Sequence, residues 1–153
     1  VRIGTGYDSH RFAASEDGRR LVLAGVEVDH DRGLAGHSDA DVVCHAVMDA
    51  LLGAAALGDI GTHFPDEEET WRDADSLDLL RTVLGLVPGT VLNVDATVIC
   101  EAPRLAPYRE EMERNLRDTL GAPASVKATT NEGMGWIGRG EGIACIAVAL
   151  IES

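Results

Sequence analysis

Asp8 and His10 stand two residues apart at the end of an alternating run, and His45 follows about 35 residues later inside an apolar helical stretch. Side chains two apart in a strand project from one face, so Asp8 and His10 can address one ion while Tyr7 and Ser9 turn away. One carboxylate and two imidazoles form a ligand set for zinc. Three protein ligands leave a fourth tetrahedral position for water or a substrate oxygen, as in catalytic rather than structural sites. The competing reading is a surface Asp-x-His pair with an unrelated core histidine, so neighbouring motifs must decide. His37 and Ser38 stand at the start of the helix that carries His45, where free N–H groups and the helix dipole favour an anion such as phosphate. Asp41 and Asp49 flank His45 by one turn each. Either can accept its second ring N–H, the alternative being a solvated acidic face. Downstream, Thr129-Thr130-Asn131-Glu132 runs into a segment, 133–142, with five glycines. Backbone N–H groups in such a segment can cradle phosphate oxygens, and Glu132 can hold a second, harder ion such as Mg²⁺ between them. Taken alone, the glycine run would be only a turn.

These residues need elements to position them. Val1 to His10 alternates as a strand, with Gly4, Gly6, Asp8 and His10 on one face, where missing side chains allow close approach. A second strand is expected over Leu21 to Val28, after a hairpin-like loop at residues 13–19. Ser38 followed by Asp41 resembles a capping box, and Val42, Val43, Ala46, Val47, Ala50 and Leu51 recur at helical spacing to about Leu57. Residues 58–75 lack periodicity and form a long, functional-looking loop. Further helices are expected at Ser76 to Val87 and Tyr108 to Leu120, and strands at Val91 to Cys100 and Ser125 to Thr129. Ile143 to Ile151 is continuously apolar, as in a strand covered on both faces by the chain's own helices or by another subunit. This pattern predicts an α/β (α+β) sandwich in one domain, residues 1–153, with a mixed sheet covered by helices mainly on one face.

The 153 residues are 45% hydrophobic and 25% charged, enough to bury a core in one domain. A formal net charge of −13 argues against a nucleic-acid or anionic-membrane partner, yet leaves room for an anionic ligand at local cations and N–H groups. Cys44, Cys100 and Cys145 are odd in number and widely spaced, pointing to a reducing compartment and to buried hydrophobic roles. With no signal-like or transit-like start and no apolar run of membrane length, a cytoplasmic protein is expected.

Five blocks in order together resemble the 2-C-methyl-D-erythritol 2,4-cyclodiphosphate synthase family of non-mevalonate isoprenoid biosynthesis. They are Gly4-Thr5-Gly6-Tyr7-Asp8-Ser9-His10, Gly36-His37-Ser38-Asp39-Ala40-Asp41-Val42 through His45 to Gly53, Gly58-Asp59-Ile60-Gly61, Lys127-Ala128-Thr129-Thr130 and Gly138-Arg139-Gly140-Glu141-Gly142. The resemblance implies a homotrimer with active sites between subunits. It implies a cytidine diphosphate substrate whose 2-phosphate attacks the β-phosphorus and expels CMP, with no protein nucleophile. Asp8, His10 and His45 would bind Zn²⁺, and His37 and Thr130 would stabilise the transition state. Ser38, Asp59, Ile60 and Gly61 would meet the methylerythritol part, with Phe64, Pro65 and Asp66 on a mobile loop above it. Cys100, Ala102, Pro103, Arg104, Leu105 and Ala106 would form the cytidine pocket. Ala128, Thr129 and Thr130 would meet the diphosphate, and Glu132 its second ion, Mg²⁺ or Mn²⁺. Trp136 and Arg139 would lie near the threefold axis.

The chain departs from the usual family pattern at Arg104, for a lysine, which keeps the charge but not the geometry. It also departs at Asn131 and Glu67, for threonines, and at Trp136, for a phenylalanine. None is a proposed zinc ligand. Two other readings fit the same residues. One is a zinc hydrolase in which Asp41 or Asp49 serves as base, and the other a non-catalytic trimeric binding module for a nucleotide or isoprenoid diphosphate.

Overall fold

Strand β1 (Arg2–Arg11) follows its sequence alternation, burying Gly4 and Gly6 while Ile3, Thr5 and Tyr7 face outward. The computed structural model describes residues 1–153 except 66, 67, 70 and 71. The expected strand at 21–28 is instead two, β2 (Leu21–Leu23) and β3 (Val26–Val28), paired antiparallel as a separate hairpin. Its turn is Ala24-Gly25, both at positive φ (50° and 72°), a dipeptide with a weaker turn signature than Asn-Gly or Asp-Gly. The two turn N–H groups donate to the carboxylate of Asp41, each at 2.8 Å.

Asp41 also caps helix α1 (Val42–Ala54) through the N–H groups of Val43 and Cys44, so it, rather than Ser38, supplies the helix start. Helix α1 is apolar nearly all round, with Met48, Leu51 and Leu52 among its fully buried side chains. Such a helix belongs in an interior, where each large apolar side chain contributes about 1.5–3 kcal/mol by burial. The loop after it contains a single turn, α2 (Ile60–His63), capped by Asp59. Then come α3 (Ser76–Leu86), β4 (Thr90–Ile99), a 3₁₀ turn at Ala106–Tyr108, α4 (Arg109–Leu120), β5 (Ala124–Thr129), a short α5 (Gly135–Gly138) and β6 (Gly142–Glu152).

The sheet runs β1-β6-β4-β5. Its pairs are antiparallel except β4 with β5, giving the expected mixed sheet. Helix α1 lies across β1 and β6, α4 covers β5, and α3 packs against α1 and α4 on the same side. Among the described residues, nothing covers the other face of the sheet: Ile3, Tyr7 and Ile146 are 68%, 55% and 44% exposed. The apolar β6 is therefore covered on one face only by the chain itself.

The glycines of β1 set where α1 sits. A Cβ on Gly6 would lie 1.9 Å from the Ala46 carbonyl oxygen, and one on Gly4 2.0 Å from that of Ala50. Strand and helix backbones thus touch through Gly4 and Gly6 on one side and Ala46, Ala50 and Ala54 on the other. His45 is the residue before Ala46, and Asp8 lies two along the strand from Gly6. The contact that packs the helix therefore delivers the imidazole to the strand end.

Candidate active site

Asp8, His10 and His45 meet at one wall of a cavity of about 520 Å³. The Oδ2 of Asp8 is 2.9 Å from Nδ1 of His10 and 3.3 Å from Nδ1 of His45. Yet these three buried atoms make no well-oriented hydrogen bond among the described residues. Three donor atoms within 4.8 Å of one another, shielded and left unsatisfied, are what a divalent cation would satisfy. Burial pushes the Asp8 carboxyl upward, but the two adjacent imidazoles outweigh this and hold its pKa below the usual value. Burial pulls His45 down, and the Asp8 carboxylate beside it, with Asp41 and Asp39 further off, raises it above the usual value.

The other ring nitrogen of His45, Nε2, lies 3.1 Å from the Ser76 hydroxyl and 3.2 Å from that of Ser38. Neither Asp41 nor Asp49 is its partner. The fully buried Asp41 carboxylate accepts four backbone N–H groups, and that of Asp49 accepts the N–H of Ile60 at 2.8 Å. The two bases a hydrolase would need are thus engaged in holding loops. Ser76 was not marked by its sequence, because a serine opening a helix reads as a terminus signal; only the chain's return beneath α1 brings it to the ring.

The same cavity is lined by His37, Ser38, Ile60, Gly61, Phe64 and Pro65. His37 is exposed and Ser38 is 8% exposed. Arg19 fixes the loop before them, donating to the carbonyl oxygens of Leu34 at 2.6 Å and Ser38 at 2.7 Å. Asp59 does not line the cavity; its carboxylate caps α2 through the N–H and hydroxyl of Thr62. Asp66 lies outside the described residues.

A second cavity, of about 640 Å³, is lined by Cys100, Pro103, Arg104, Leu105 and Ala106 and by Ala128, Thr129 and Thr130. Ala102 precedes Pro103 across a cis peptide bond. Arg109 and Lys127 also face this cavity, Lys127 pairing with Asp95 at 2.5 Å. Thr130 and His37 therefore line different cavities of one chain. The expectation that backbone N–H groups after Thr130 stand ready for phosphate needs correcting at its start. Those of Asn131 and Gly133 are already held by the Glu101 carboxylate, at 3.1 and 2.9 Å, and that of Glu132 by the Thr130 hydroxyl. The Glu132 side chain itself is exposed, apart from the Asp8–His10–His45 cluster. Trp136 and Arg139 line a third cavity of about 660 Å³ together with Arg11 and Arg32.

A mixed four-stranded sheet backed by helices on one side has direct counterparts among solved structures. The chain belongs to the YgbB family, whose model matches residues 1–152. A protein of Salinibacter ruber named 2-C-methyl-D-erythritol 2,4-cyclodiphosphate synthase is 56% identical over 162 residues, covering 100% of this chain and 99% of its own. The bifunctional IspDF of Campylobacter jejuni superposes with a TM-score of 0.90 at 39% identity, over 97% of this chain but 41% of that longer one. The Plasmodium falciparum IspF structure in complex with CDP superposes with a TM-score of 0.80 at 31% identity, over 99% of this chain and 97% of its own. Among the described residues, no helix is long and apolar enough to cross a membrane.

Proposed function

We propose that this chain converts 4-diphosphocytidyl-2-C-methyl-D-erythritol 2-phosphate into 2-C-methyl-D-erythritol 2,4-cyclodiphosphate and CMP, in the cytoplasmic, non-mevalonate route to isoprenoids. An oxygen of the 2-phosphate attacks the β-phosphorus and the bond from that phosphorus to the CMP oxygen breaks, closing the ring. The observation that carries this reading is the convergence of three unsatisfied donor atoms on a cavity, in a chain whose full-length relative bears the synthase name. Because the substrate brings its own nucleophile, the protein's task is to fold it into line and to offset charge on the transferring group.

Asp8, His10 and His45 are the residues that would hold Zn²⁺, and Glu132, with substrate phosphates, a second ion, Mg²⁺ or Mn²⁺. Bound ions would supply positive charge at the diphosphate. In this reading, His37 and Thr130 donate hydrogen bonds to charge that develops during transfer. Ser38, Asp59, Ile60, Gly61, Phe64, Pro65 and Asp66 surround the methylerythritol. The segment from Cys100 to Ala106, with Arg104 as its cation, receives the cytidine, and Ala128 and Thr129 lie along the diphosphate. Since His37 and Thr130 line separate cavities of one chain, the complete site combines two copies in a homotrimer. The exposed apolar face of β1 and β6 supports such an assembly. Trp136 and Arg139 then lie near its axis.

Turnover in ¹⁸O-labelled water tests the reaction class. Both the cyclic diphosphate and CMP should emerge without label, since the attacking oxygen comes from the substrate. Label in either product would replace cyclisation with hydrolysis.

A further inference from the structure

Ser76, fully buried at the first position of α3, touches two groups that its place in the sequence does not connect. Its hydroxyl donates to Oδ1 of Asp39, and its N–H to Oδ2 of the same carboxylate at 3.0 Å. Asp39 Oδ1 is also 3.2 Å from the Asp41 N–H, so the carboxylate is held from both sides. A carboxylate only accepts, and a serine has one proton to give. With that proton committed to Asp39, the Ser76 oxygen can only accept at its 3.1 Å contact with His45, which requires hydrogen on Nε2. The Ser38 oxygen, 3.2 Å from the same nitrogen, already accepts the Ala40 N–H and has a second lone pair to share in it.

A neutral imidazole carries one N–H, so Nδ1 of His45 is left as a bare lone pair. That is the nitrogen 3.3 Å from Asp8 Oδ2, with no hydrogen-bond partner among the described residues. We propose that Ser76, oriented by Asp39, is a positioning residue that locks His45 in the Nε2–H tautomer and so prepares Nδ1 as a metal ligand. This rests on Asp8, His10 and His45 forming a metal site. Outer partners of this kind fix ring orientation as well as tautomer.

The test uses ¹⁵N chemical shifts of the His45 ring in metal-free protein, above the pH at which it titrates, together with Zn²⁺ affinity measured by chelator competition. Wild type and Ser76→Thr should show a protonated Nε2 and an unprotonated Nδ1. Ser76→Ala should lose that preference and bind Zn²⁺ about 10- to 100-fold more weakly, the usual effect of removing such a partner. Hydrogen on Nδ1 in the wild type would overturn the proposal, and so would Ser76→Ala holding Zn²⁺ as tightly as wild type. The wild-type spectrum decides the tautomer even where Ser76→Ala does not fold. Nε2–H in a wild type that takes up no Zn²⁺ would overturn the metal reading itself, and with it the purpose assigned to Ser76.

Discussion

In the proposed metal site, proton and metal would compete for the same nitrogen of His45, which gives the site a pH signature with opposite signs in the two states. In the metal-free chain His45 titrates above its ordinary value of 6.5. Its charged form therefore contributes stability that is fully present below 6.5 and is lost as pH rises through the raised value. Asp8 titrates below its ordinary 3.8, so its contribution is present above 3.8 and is lost as pH falls through the depressed value. The pair thus supports the metal-free fold between those limits. Metal binding must displace the His45 proton, so the stability added by Zn²⁺ should grow as pH rises towards the raised value of His45 and level off above it. Paired melting curves with and without Zn²⁺ on both sides of that value check this; an increment flat with pH would contradict it. At this scale the meeting of Asp8 and His10 was legible, because strand alternation alone puts them on one side. The partners of His45 were not. Asp41 and Asp49 have the right helical spacing, but Asp41 is bound to the β2–β3 turn and the start of α1, and Asp49 to the start of α2. Ser76, 31 residues from His45, reaches the ring only through the tertiary fold.

Between elements, the decisive contact is the one without side chains. Gly6→Ala would force a methyl group against the Ala46 carbonyl, backbone against backbone, so α1 must shift away from β1. Overpacking of this kind costs about 1–3 kcal/mol, and here it also moves His45 from Asp8. Gly53→Ala is the matched control. Its nearest neighbour would be the Thr5 carbonyl oxygen at 3.7 Å, and the helical position tolerates alanine, so stability should rise by about 0.4–1 kcal/mol. Urea midpoints for the two variants, with Zn²⁺ affinity for Gly6→Ala, provide the measurement; a Gly6→Ala protein as stable and as tight as wild type would refute the packing argument. The alternation of β1 made this approach readable from sequence, and the apolar stripes of α3, α4 and β4 made those elements themselves readable. The β2–β3 hairpin was not readable, since Leu21 to Val28 is apolar on either side of Ala24-Gly25. What makes the turn there is an Asp41 carboxylate 16 and 17 residues on. Helix α2 was hidden for a similar reason: one turn is too short for periodicity, and its cap, Asp59, serves equally well in a loop.

For the whole molecule, the residues proposed for the metal and those proposed for the nucleotide line different cavities, and the described residues leave an apolar sheet face uncovered. Sequence indicated that β6 is apolar on both sides, but which face its own helices leave bare emerges only from the order β1-β6-β4-β5. A trimer that pairs the metal half of one copy with the nucleotide half of the next accounts for both features. It also makes the central claim testable in one experiment, by measuring CMP release from His45→Ala, from Thr130→Ala and from the two chains co-expressed. Each variant alone, folded and trimeric, should be inactive. Random mixing in equal amounts should restore about a quarter of the wild-type sites, those joining an intact metal half to an intact Thr130. Parental CMP release from His45→Ala alone, or no recovery in the mixed trimers, would contradict the account.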